Sequence, residues 1–346
     1  MAALGAVMHS GHYILGPFVE RFEAAFAHYL GIPHCIGVNS GTDALALALR
    51  AAGVSHGAEV ILPTLTAAGT AAAVVQAGGT PVLADVDPHT RNLDPASAAA
   101  LITPRTRAVI AVHLHGIPAA VEALSVLTRR HELVLIEDCA QAHGATIGAR
   151  RAGTFGHAAA FSFYPTKNLG AVGDGGAVVT ADAALAARVR ALRNHGWRDA
   201  RRISEDAGGN SRLDAVQAAV LKVLLPFLDS DNTARRALAS EYGAALQHLA
   251  LGLPPSVDGA VYHQFAITVD NRDAVQARLS ATGIGTAVHY AIPLHHQPAF
   301  AGMARGPLPV AEKLAARLLS LPIQPEVAAG QVPRIAAALR AALTSP

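Results

Sequence analysis

Three short stretches of this chain hold residue types that can do chemistry. In the first, Ser40-Gly41-Thr42 stands between an apolar run, Cys35 to Val38, and a segment whose apolar residues begin at Ala44. A strand-to-helix junction of this kind offers backbone N–H groups without internal partners, the positive end of a helix and a hydroxyl, which together suit a phosphate. A plain helix cap by Ser40 or Thr42 would use the same residues. In the second, Ile136-Glu137-Asp138 closes another apolar run, and Ala140-Gln141-Ala142-His143 follows. A carboxylate at the C-terminal edge of a parallel sheet faces the crevice in which such folds bind ligands. Held ionised there, Asp138 can keep a pyridine nitrogen protonated, which makes the ring an electron sink; a helix cap or a buried salt bridge is the alternative use. In the third, the aromatic run Phe161-Ser162-Phe163-Tyr164 gives way to Pro165-Thr166-Lys167-Asn168 and presents Ser162 and Lys167 in a loop. A lysine amine attacks carbonyls well only when its pKa falls, as beside a cofactor aldehyde in a partly apolar pocket; an ordinary loop lysine stays solvated. The three fragments carry more together than singly: a phosphate cradle, a carboxylate for a ring nitrogen and a lysine, each at a strand end.

Elements that could position these residues follow from periodicity. Phe18, Phe22, Phe26 and Tyr29 recur at helical spacing over 17–30, with Pro17 suited to a first turn and Gly31 to a C-terminal cap. Short apolar strands at 34–38, 59–62, 81–84, 107–112 and 133–137 then alternate with helix-length segments at 42–52, 66–77, 95–102 and 119–131. This alternation predicts an α/β fold, a mainly parallel central sheet wrapped on both faces by helices. Strands at 158–164 and 176–180 are joined by Gly170-Ala-Val-Gly-Asp-Gly-Gly, which reads as a turn. A helix over 182–193 precedes long alanine-rich helices at 213–228 and 231–250, a strand at 262–269, a helix at 272–282 and a strand at 284–290. The change of pattern places a domain boundary near 220–255: a large α/β domain over 1–230 and a smaller C-terminal α+β domain over 231–346.

Composition limits the partners. The chain has 346 residues, 51% hydrophobic and 15% charged, with a net charge of +2, and its basic residues are scattered rather than gathered into a footprint for nucleic acid. No apolar run reaches the roughly 20 residues needed to cross a bilayer, and the N-terminus does not read as a secretion signal. Cys35 and Cys139 both sit in apolar, strand-like settings and read as buried thiols in a reducing compartment, so a cytoplasmic protein is expected. The 17 histidines include the pairs His113/His115 and His295-His296, but no recognised ligand spacing accompanies them and no metal is expected.

Several blocks in register resemble the DegT/DnrJ/EryC1/StrS sugar aminotransferases, a branch of the fold-type-I pyridoxal-phosphate (PLP) enzymes. They are Gly16-Pro17-x-Val19-Glu20-x-Phe22-Glu23, Asn39-Ser40-Gly41-Thr42-Asp43-Ala44-Leu45, Glu137-Asp138-x-Ala140-Gln141-Ala142, Ser162-Phe163-Tyr164-Pro165-Thr166-Lys167-Asn168-Leu169-Gly170 and Asn210-Ser211-Arg212-Leu213-Asp214. The resemblance implies that Lys167 binds the cofactor aldehyde covalently and then moves the proton. It also implies that Asp138 pairs with the pyridine nitrogen, that Gln141 lies beside the ring hydroxyl, and that Gly41, Thr42 and Ser162 hold the phosphate. Asn210 matches an asparagine that reaches the phosphate of a neighbouring subunit, which implies a homodimer with shared sites. Val288-His289-Tyr290-x-Ile292-Pro293 resembles the segment that approaches the sugar nucleotide, so His289 and Tyr290, with Tyr164, are the candidate substrate contacts. The implied reaction moves an amino group from an amino acid, glutamate being expected, to a nucleotide-linked keto-deoxysugar at C3 or C4. Dehydratase relatives, which use free pyridoxamine phosphate (PMP), carry histidine where this chain has Lys167; that lyase reading and a non-catalytic PLP-binding regulator are the rivals. Two features depart from the family pattern. Thr66 is followed by Ala67 where an aromatic residue usually stacks on the ring, and relatives carry a longer stretch before Tyr13.

Overall fold

The computed structural model describes residues 1–199 and 201–344. The apolar runs become seven strands of one sheet: β1 (His34–Val38), β2 (Glu59–Pro63), β3 (Thr80–Ala84), β4 (Thr106–Val112), β5 (Val134–Asp138), β6 (Ala158–Ser162) and β7 (Gly176–Thr180). Their spatial order is β1-β7-β6-β5-β4-β2-β3. Only β7 runs against the others, paired antiparallel to β1 on one side and to β6 on the other. The runs are unbroken by polar residues because both faces are covered. On one face Ile36, Val60, Leu62, Ile110, Ile136 and Val178 are sealed together with the helices α3 (Gly41–Ala51) and Ala183–Leu192. On the other face Ile61, Val109 and Leu135 pack with Val121–Arg130, and Cys35, Phe161 and Val179 with Pro17–Leu30 and Ala215–Leu224.

The expected helix over 17–30 forms between those residues, with Pro17 in its first turn and Gly31 closing it at a φ of 71°. Phe22 and Phe26 are fully buried and stack at 5.7 Å, and Phe26 meets Phe161 and Phe163 edge-on at 5.0 and 5.5 Å. Each such ring contributes about 1.5–3 kcal/mol through burial. Both cysteines are buried and free, and burial raises each thiol pKa well above its usual range, so they are inert thiols. No helix of the described residues is long and apolar enough to cross a membrane.

Beyond residue 230 a second sheet pairs β8 (Phe265–Thr268) antiparallel with β9 (Leu318–Leu321). It packs with Tyr242, Leu279 and Leu339 from three helices into a separate cluster. The strand expected over 284–290 does not form, and only Ala287 makes an isolated bridge, to Ser320. The place beside β8 is taken by β9, and the glycines at 283 and 285 leave Ile284 in a loop. The helices expected at 213–228 and 231–250 are Ala215–Leu224 and Leu228–Leu246, joined through a 3-10 turn, Leu225–Phe227. Pro226 in that turn lacks the N–H that a continuous helix needs. A helix over Ala2–Ser10 and those at Pro309–Arg317 and Val332–Thr344 were not anticipated.

Candidate active site

The carboxyl ends of β1, β5 and β6 lie on one edge of the sheet and bring the three chemical fragments together. Gly41, Thr42, Asp138, Ser162, Tyr164 and Lys167 line one cavity of about 260 Å³, with Ala67, Thr70 and Asp174. Ser40 caps α3, its Oγ accepting from the Asp43 N–H at 3.1 Å, while the amides that open the helix have no intrahelical acceptor. A Cβ on Gly41 would stand 2.7 Å from the Ser162 Cβ and 3.2 Å from its Cα, and one on Gly69 would stand 2.8 Å from the Thr42 Oγ1. The loop and strand can therefore approach this closely only with glycine at those places. The result is a cradle of free N–H groups and two hydroxyls at the positive end of a helix, which fits a phosphate.

Asp138 lies across the cavity from that cradle, fully buried. Its Oδ2 accepts from the Thr70 hydroxyl at 2.9 Å and its Oδ1 from the Ala140 N–H at 3.1 Å; Thr70 in turn is 3.1 Å from the Thr66 hydroxyl. Burial pushes the Asp138 pKa up, opposed by those hydrogen bonds and by the Lys167 charge. A cationic partner would offset the burial cost, so the carboxylate suits a protonated ring nitrogen. Burial pushes the Lys167 pKa down, against the Asp138 charge. Its amine is thus brought toward the neutral, nucleophilic form.

The neighbouring Glu137 points to the other face of β5 and has a structural task. It accepts from the N–H groups of Gly153, Phe155 and Gly156 at 2.8, 2.7 and 2.8 Å, and its Oε2 is 3.1 Å from His113 Nε2. Burial alone would raise its pKa; the His113 hydrogen bond and charge and the loop amides outweigh it and lower the pKa. His113 and His115 both lie beyond the end of β4: His113 opens the tight turn Leu114–Gly116 and His115 sits inside it. His115 Nε2 is 2.9 Å from the His289 carbonyl, while its own N–H donates to Gln141 Oε1 at 2.5 Å. Gln141 Nε2 donates to the Tyr290 hydroxyl at 3.2 Å. Burial and the Asp138 charge push the Tyr290 pKa up to about 12.

The structure so places Gln141, His289 and Tyr290 in one network beside Asp138. Tyr164 is half exposed at the cavity rim. Asn210 is not brought to the cavity by its own chain: it is exposed, bridged to Asn194. Thr70 and Gly69 are not picked out by the sequence, and His115 only as half of a histidine pair, since each acts on a residue far off in the chain; the Thr66-x-x-x-Thr70 spacing at a helix start is the one available signal. Among the described residues two groups could share an ion: His113, Glu137 and Cys139, and His295, His296 and Glu312. In the first the Glu137 oxygens are engaged by His113 and the loop amides. In the second His295 sits between the Thr64 hydroxyl at 2.7 Å and Glu312 at 3.1 Å, an ordinary ion-pair arrangement.

With this geometry in hand, comparison with known proteins is decisive. The model of the DegT/DnrJ/EryC1/StrS aminotransferase family matches residues 1–340. The chain belongs to that family. It is 50% identical over 347 aligned residues, 98% of this chain and 90% of the relative, to a dTDP-3-amino-3,4,6-trideoxy-alpha-D-glucose transaminase of Streptomyces venezuelae. The S. venezuelae DesV structure in complex with a ketimine intermediate superposes with a TM-score of 0.96 at 48% identity, covering 100% of this chain and 94% of that one. The structure of ntda from Bacillus subtilis with bound cofactor PMP matches with a TM-score of 0.92 at 30% identity, covering 99% and 81%. The mainly parallel sheet is thus the fold of PLP-dependent sugar aminotransferases, and the family works with PLP and PMP. Such relatives favour amino transfer to a nucleotide-linked sugar over the dehydratase and regulatory readings.

Proposed function

We infer that the chain is a PLP-dependent aminotransferase that moves an amino group from an amino acid, glutamate first among candidates, to a nucleotide-linked keto-deoxysugar, at C3. The observation that carries this reading is the meeting of Lys167, Asp138 and the Gly41–Ser162 cradle in one cavity. The C3 preference rests on the 3-amino product in the name of the 50% identical relative. Gly41, Thr42 and Ser162 would hold the cofactor phosphate, Asp138 the pyridine nitrogen, and Gln141 the ring hydroxyl. When bound, PLP supplies an electron sink for the bond broken at the donor Cα. Lys167, brought toward neutrality by burial, would hold the cofactor aldehyde through Nζ. The same Nζ would serve as the base that takes the proton from the donor Cα and, in the other half-reaction, as the acid that supplies one to the acceptor. A protonated ring nitrogen would favour the ionised form of Asp138 against its burial, helped by the Thr70 hydroxyl and the Ala140 N–H. Tyr164, His289 and Tyr290 face the sugar, and two substrates alternating in one site give ping-pong kinetics.

Asn210, exposed in one chain, serves the site of a second copy, so the active unit is a homodimer; residues 1–230 form the cofactor domain and 231–346 the smaller one, and the enzyme works in the cytoplasm. Two measurements test the reading. Borohydride reduction followed by peptide mapping is expected to place a pyridoxyl label on Lys167, and glutamate is expected to shift the cofactor absorbance from the PLP to the PMP form. A label elsewhere, or no spectral change with any amino donor, overturns it. A panel of keto sugar nucleotides as acceptors then decides the carbon.

A further inference from the structure

A second cavity, of about 460 Å³, is lined by Thr166, Arg235, Gln264, Thr286, His289 and Ser320 among others. Its lining shares no residue with that of the cofactor cavity, and the two meet at Thr166–Lys167. The charge of Lys167 acts on His289 and on His263, both of which line the second cavity. The Lys167 amine thus lines the cofactor cavity and lies close enough to the second one to act on its histidines.

Arg235 is the unexplained residue there. It projects from the helix Leu228–Leu246, is only 7% exposed, and has no hydrogen bond or ion pair to any described residue. Among the described residues its Nε is enclosed without an acceptor, and Gln264 Oε1 without a donor. Asp231 and Glu326 act on it only at a distance. Burying a guanidinium without a counter-ion is costly, and the planar fork of donors is shaped for carboxylate or phosphate.

We propose that Arg235 is an oxyanion-binding subsite used in turn by both substrates, taking the side-chain carboxylate of the amino donor in one half-reaction and the sugar-linked phosphate of the acceptor in the other. This rests on the aminotransferase reading above. A site that alternates between two unlike molecules must bind what they share. The side-chain carboxylate of glutamate and the first phosphate on C1 of a sugar nucleotide stand at nearly the same bond count from the carbons that exchange nitrogen, Cα and C3. One fixed cation can serve both.

The test compares the holoenzyme with Arg235→Gln and Arg235→Lys in separate half-reactions followed by cofactor absorbance. Lys167 labelling and the cofactor spectrum are expected to be unchanged in both variants. With glutamate, and with a keto sugar nucleotide, Arg235→Gln is expected to raise the concentration for half-maximal rate by about tenfold or more, with the limiting rate changed less; Arg235→Lys keeps part of the binding. With alanine, which has no side-chain carboxylate, parent and variant are expected to match. Should the variants fold poorly, glutarate and inorganic phosphate serve on the parent: each is expected to compete with glutamate. Unchanged half-saturation for both substrates, or an equal loss with alanine, overturns the proposal; a rise for one substrate alone overturns the sharing. Absence of the Lys167 label in the parent would instead strike the aminotransferase reading itself.

Discussion

Acid stability offers a quantitative check on the buried histidines near the site. His115 and His143 are both fully buried, and burial first, with the Arg91 charge on His115 and the Lys167 charge on His143, lowers each pKa to about 3. The unfolded chain holds these imidazoles at about 6.5. Between the two values the unfolded state binds protons that the native state does not, so stability falls as pH drops through 6.5 and below. From pH 7 to pH 5 the loss is about 2 kcal/mol for each histidine and about 4 kcal/mol for the pair, at 1.36 kcal/mol per pH unit. That is a large part of a typical total of about 5–15 kcal/mol. His263 and His289 are lowered as well and add to the same trend, while Asp138, raised by burial, opposes it. Thermal unfolding at both pH values is expected to show a fall on the order of 8 °C, at roughly 2 °C per kcal/mol. The double variant His115→Asn/His143→Asn is the control: its starting stability will be lower, but its pH-dependent fall should shrink by about half or more. An equal fall in parent and variant, or an NMR titration of either ring near pH 6.5, refutes the reasoning.

Three substitutions probe the cofactor cavity directly. Gly41→Ala drives a methyl to 2.7 Å from the Ser162 Cβ; overpacking of this kind costs about 1–3 kcal/mol, read as a lower denaturation midpoint together with weaker PLP uptake. Ala67→Phe fills the place where the family pattern carries an aromatic residue, and is expected to tighten PLP by about 0.5–1.5 kcal/mol, measured by fluorescence titration. Thr70→Val removes the donor to Asp138 Oδ2; losing a hydrogen bond to a buried charge costs about 1.5–3 kcal/mol, so the PLP dissociation constant is expected to rise by about tenfold or more while Lys167 labelling at saturating cofactor persists.

How much of this was legible beforehand depends on the distance over which each contact is made. Lys167, Asp138, Ser162 and the Ser40–Thr42 turn could be read because local patterning alone puts each at a strand end, and parallel strands deliver their carboxyl ends to one edge. The helix over 17–30 was equally plain, since its proline, its phenylalanine stripe and its glycine cap are all local. What could not be read is what makes those residues chemically competent. Thr70 donates to a carboxylate 68 positions away, His115 spans 174 positions to hold the His289 carbonyl, and Asn168 donates to Asn232 across 64 positions. No periodicity announces such pairs. The missed strand β9 has the same cause: Leu318–Leu321 is too short to stand out until Phe265–Thr268 is beside it. Arg235 is the sharpest instance, because on an alanine-rich helix it reads as one more solvated charge. Only the fold buries it, and only the lack of a hydrogen-bond acceptor for its Nε among the described residues turns it from a surface residue into a candidate anion-binding group.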